Sequence, residues 1–198
     1  MIRLCTRLGL VAALFWSTAS VALAAGGDLA DGYLRARQVV ATHLSEVKLN
    51  SVYGTPAFDE KGRRVDDLFL NFTGRDAKGR PMLMSLTLSP DGTLTGENDA
   101  DNPRLDRFGH HEKPGLELDA WFPPEEAVAI AIAKHPGHPP TKGISLAYHN
   151  STEFGNRVVM VLYWVHEGRV RDVVLDARYG RVLEVGDQPA PGKRARAR

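Results

Sequence analysis

Cysteine is nearly missing from this chain, with Cys5 the one example in 198 residues. A disulfide has no second partner here, and a thiolate nucleophile or Cys-ligated zinc site is excluded from everything beyond the first few residues. An excess of one charge is missing as well, since 25 Lys and Arg face 24 Asp and Glu. The balance is uneven along the chain. Arg3 and Arg7 stand in an acid-free leading segment and Lys193 to Arg198 carry four bases, which leaves 19 bases against all 24 acids in between, a net of −5. A mildly acidic body counts against nucleic-acid binding. Catalytic signatures are missing too: there is no Gly-x-Ser-x-Gly elbow, no His-Glu-x-x-His and no glycine-rich phosphate loop. The acid pairs Asp66-Asp67 and Glu125-Glu126 are sequence neighbours, whose side chains diverge on a strand or a helix. The expectation is a protein that is not an enzyme.

Long apolar runs are confined to one place. Leu10 to Ala25 is almost wholly apolar, follows the basic stretch Met1 to Gly9, and ends on the small residues of Ala22-Leu23-Ala24. This is the plan of a secretory signal peptide covering residues 1–24. As a membrane span the run is short and is broken by Ser17, Thr18 and Ser20. Cleavage would remove Cys5, and the remainder is expected to be periplasmic or secreted, with no transmembrane span. With 43% hydrophobic and 25% charged residues, it has the composition of a chain that folds by ordinary burial.

What is present reads as one pattern used twice. Asp28 can cap a helix from Leu29 to Val47, because Leu29, Tyr33, Ala36, Val40, Leu44 and Val47 follow at steps of three or four. Leu68 to Thr73 and Met82 to Leu88 then alternate with period two around the turn Asp76 to Gly79, the pattern of an antiparallel hairpin. Pro90-Asp91-Gly92 turns into a short strand at Thr93. In the second copy Pro123-Pro124-Glu125-Glu126 opens a helix that runs to Lys134 and stops at His135-Pro136-Gly137. Strands are expected at Gly143 to Tyr148, Val158 to Val165, Val170 to Leu175 and Arg181 to Val185. Val158 to Val165 is apolar on both faces and therefore needs two covers. Unit boundaries follow at 25–97 and 121–187, with a loop-rich acidic linker at 98–120 and a disordered basic tail at 188–198.

Trp164 to Leu183 runs through a His166-Glu167-Gly168 turn into Asp176-Ala177-Arg178-Tyr179-Gly180-Arg181-Val182-Leu183, and it follows the helix Pro124 to Ala131. This resembles the end of a PepSY domain, with its leading helix and its Asp-Ala-x-x-Gly-x-Val/Ile-Leu turn. Residues 121–187 match well. The first unit matches in element order, with Ser89-Pro90-Asp91-Gly92 in place of the Asp-Ala pair. The resemblance implies an α+β fold of two PepSY-like repeats, each a helix packed on an antiparallel sheet of about three to four strands. It implies work outside the cytoplasm by binding or restraining a protein or peptide partner, such as a peptidase. It also makes Asp176 and Gly180 turn-formers. No cofactor is implied.

Histidines supply the alternative, a periplasmic metal or small-ligand binding protein. There are seven, and they include two clusters: His110-His111 in the linker, and His135 and His138 around one tight turn. Either pair offers two nitrogen ligands to zinc, copper or nickel, with no third ligand fixed by spacing. Asn98-Asp99-Ala100-Asp101-Asn102 offers alternating oxygens but lacks the glycine and the distal glutamate of a calcium loop, and reads as an acidic linker.

Overall fold

The computed structural model describes residues 29–99, 115–116 and 121–190. The expected signal peptide, the His110-His111 pair, most of the linker and the basic end of the tail lie outside the described residues. Helix α1 spans Leu29–Ala41 and buries Leu29, Gly32, Tyr33, Ala36 and Val40. It stops six residues short of the expected end. The amide of Leu44 closes onto the carbonyl of Val40 at 2.9 Å, and Ser45 opens strand β1, Ser45–Phe58.

Seven more strands and one helix follow: β2 Leu68–Arg75, β3 Pro81–Leu88, β4 Leu94–Asp99, α2 Pro124–Lys134, β5 Ile144–Ser151, β6 Arg157–His166, β7 Arg169–Asp176 and β8 Val182–Pro189. They form one eight-stranded sheet in the order β4-β3-β2-β1-β5-β6-β7-β8, antiparallel at every step.

This overturns the expectation of two PepSY-like repeats, each with its own small sheet. Helix-then-strands does occur twice along the chain, but the two sets share one ladder. The reason lies in β1, which carries no clean alternation and was not expected as a strand. Val52 faces Leu70 on one side and Tyr148 on the other, and Tyr53 faces Phe69 and Ala147. A strand paired on both edges leaves neither half an edge at the centre. At the far end, β8 reaches Pro189, so Gln188 and Pro189 are strand and not tail.

Cross-strand pairing sorts the sheet into two faces. Leu86, Leu70, Val52, Tyr148, Met160 and Leu175 lie side by side on successive strands, all of them buried in the same cluster as the inner residues of α1 and α2. Trp121 ties the halves of that core together, with its ring 5.6 Å from Tyr33 and 4.9 Å from Tyr148. The opposite face carries Thr95, Thr87, Phe69, Tyr53, Ala147, Val161 and Val174 at one level. No helix covers it among the described residues. Along β6 this face is covered unevenly: Val159 is fully buried, whereas Val165 stands 46% exposed. No helix of the described residues is long and apolar enough to cross a membrane.

Candidate functional site

Two regions concentrate chemistry. The first is the uncovered face at its β4 end. Tyr53 and Phe69 stack across β1 and β2, centroids 5.1 Å apart and planes 22° from parallel, yet they remain 42% and 37% exposed. Beside them runs a polar ladder. Asn71 Nδ2 donates to Ser51 Oγ at 2.9 Å and Ser85 Oγ donates to Asn71 Oδ1 at 2.8 Å, which fixes the amide orientation in the middle of the row. Phe69, Ser85, Thr87, Thr95 and Gly96 line a shallow depression of about 310 Å³. It abuts β4, whose outer edge pairs with no described strand.

The second region is a corner where the turn after α2 meets the β6–β7 hairpin. His135 ends α2, its amide reaching the Ile132 carbonyl at 3.1 Å. It is 7% exposed, its Nε2 lies 3.2 Å from the Asp172 carbonyl, and its ring meets Trp164 edge-on at 5.2 Å. A histidine held this way is part of the packing. His138, at the far side of the same turn, points elsewhere. Its ring lies 5.4 Å from that of His166, and donor atoms of His138, His166 and Glu167 lie within 4.8 Å of one another. Trp164 anchors the turn by donating Nε1–H to the His138 carbonyl at 2.9 Å. His135 and His138, paired by sequence, thus separate into a structural and a free member, and His166 takes the vacant place. Parity along β6 carried that signal, because His166 falls on the same face as Trp164.

Asp176 and Gly180 sit in the β7–β8 turn. Asp176 Oδ1 accepts the amides of Arg178 at 3.0 Å and Tyr179 at 3.1 Å, and the Gly180 amide reaches the Asp176 carbonyl at 2.9 Å. Arg157 Nη1 approaches Asp176 Oδ2 at 3.3 Å.

Asp172 lies beside Tyr163 on the uncovered face. Burial pushes its carboxyl above the ordinary value of 3.8; the His135 charge pulls it down and Asp187 pushes it up further. A carboxylate raised on folding favours the folded state only when protonated, so its stabilisation is present below pH 3.8 and lost as pH rises through the folded value. Asp172→Asn is accordingly expected to raise the thermal midpoint at pH 7 and to leave it unchanged at pH 3. An equal midpoint at pH 7 would show that the carboxylate is adequately solvated.

The described residues define an α+β protein with a single antiparallel sheet, helices on one face and an open platform on the other. No family model matches the chain, and no curated protein matches it. Among solved structures it is similar to a protein from Clostridium difficile described as a "putative lipoprotein", with a TM-score of 0.54 and 13% identity over 85% of this chain and 99% of the other. At that identity the likeness is one of fold.

Proposed function

We propose that this chain is an exported, non-enzymatic protein that holds an extended segment of another extracytoplasmic polypeptide at the β4 end of its open face. The observation that carries this reading is the depression lined by Phe69, Thr87 and Thr95 directly beside a strand edge that pairs with no described strand. A free edge offers backbone donors and acceptors at strand spacing, and a pocket next to it selects side chains. Tyr53 and Phe69 add apolar area that is already ordered by stacking. Export is supported by the signal-like leader and by the lipoprotein description of the structural neighbour. The PepSY-like turn favours a restraining action, with a peptidase as the partner class.

Extended peptides selected from a displayed library on the parent protein should lose at least about tenfold in affinity on a Phe69→Ala variant, the loss typical of an aromatic anchor. The same peptides should slow hydrogen exchange in Leu94–Asp99. Unchanged affinity on Phe69→Ala together with unchanged exchange in that strand would overturn the reading.

A further inference from the structure

The geometry points to a single transition-metal site at the corner formed by His138, His166 and Glu167, independent of the peptide-binding face. Three features support it. First, the ligand set suits a borderline divalent ion: two imidazoles and one carboxylate are zinc-class ligands, and a lone carboxylate cannot satisfy calcium or magnesium, which require several oxygens. Second, the ring of His166 is already set for coordination. Its Nδ1 lies 2.9 Å from the Pro139 carbonyl, and a carbonyl only accepts, so the proton resides on Nδ1. In the neutral ring this leaves the lone pair on Nε2, 3.9 Å from Glu167 Oε1. A backbone carbonyl that fixes the tautomer of a ligand histidine is the usual outer support of a metal centre. Third, Nδ1 of His138 is buried and makes no hydrogen bond. A closed-off nitrogen without a partner is unfavourable, and a metal bound at that atom would give it one.

The frame under these groups is built without a metal. Glu167 and Gly168 both have positive φ, 50° and 73°, the backbone of a two-residue hairpin turn. Trp164 pins the opposing turn through the His138 carbonyl. Ligands of a tetrahedral ion with bonds of about 2.0–2.1 Å stand roughly 3.3 Å apart, so the present spread closes by small rotations. Glu167, with its side chain 77% exposed, is free to make the largest of them. Three protein ligands leave one coordination position for water.

Isothermal titration of the full chain with zinc chloride tests this, with magnesium chloride as the control ion. The parent should take up zinc at this site and ignore magnesium. His138→Ala/His166→Ala should weaken that event at least about tenfold, the lower bound seen even when only an outer partner is lost. Glu167→Gln, exposed and remote from the core, should weaken it while leaving the circular dichroism and unfolding midpoint unchanged, which separates ligand loss from misfolding. His110→Ala/His111→Ala should leave it intact. Absence of zinc uptake would overturn the site, as would uptake that survives Glu167→Gln and the double variant unchanged.

Discussion

Trp164→Ala should lower unfolding stability by about 3–5 kcal/mol, the range for truncating a fully packed aromatic. Trp164 is 2% exposed and lies under the α2 side of the sheet with Met160 and Leu162. Its removal opens a cavity and takes the indole donor from the His138 carbonyl. It also takes away the ring against which His135 rests edge-on. The measurement is a urea titration, in which the midpoint should fall with little change in slope. Trp164→Phe separates the contributions. It restores most of the volume but not the indole N–H, so its loss should include the hydrogen-bond share of about 0.5–1.5 kcal/mol and stay well below that of the alanine variant. If the alanine variant lost less than about 1 kcal/mol, the corner would not be close-packed.

Gly180→Ala should cost about 2–5 kcal/mol, and for two separable reasons. Its φ of +65° places an alanine in the left-handed region at roughly 1–2 kcal/mol. In addition, an added Cβ would stand 2.5 Å from three ring carbons of Phe122, an overlap of the kind that costs about 1–3 kcal/mol. Gly79 provides the control, because its φ is +75° and a Cβ there would meet nothing within 4 Å. Gly79→Ala should show the conformational part alone. Equal losses at the two positions would mean that Phe122 moves aside freely, and thermal unfolding of both variants decides it.

The hairpins were legible because their side chains obey a period of two. Leu68, Leu70 and Phe72 are buried while Phe69 and Asn71 are not, and Met82, Met84, Leu86 and Leu88 repeat the pattern. Strand β1 was not legible, for a physical reason. Its register shifts between Ser45 and Lys48, between Leu49 and Ser51, and between Gly54 and Phe58. Each irregularity breaks the alternation. Leu44 and Val47 both reach the core, so their spacing was informative about burial and misleading about backbone, one sitting in a turn and the other on a bulged strand.

One clue to β1 was in the sequence. Asp59-Glu60-Lys61-Gly62-Arg63 repeats the form of Asp76-Ala77-Lys78-Gly79-Arg80. In both, the carboxylate accepts amides two and four residues on, at 2.9 and 2.8 Å in the first and 2.8 Å twice in the second. In the second, this turn closes a hairpin. The first therefore marks the end of a strand as well. For the candidate metal corner, local spacing reached only as far as His138. His166 joins it through the packing of Trp164, a contact between residues too far apart in sequence for spacing to pair them.

The seam at Tyr53 and Ala147 makes the molecule indivisible. Each half contributes its innermost strand to the other's ladder, so parting them would strand two rows of amides and carbonyls in water and open the shared core at Trp121.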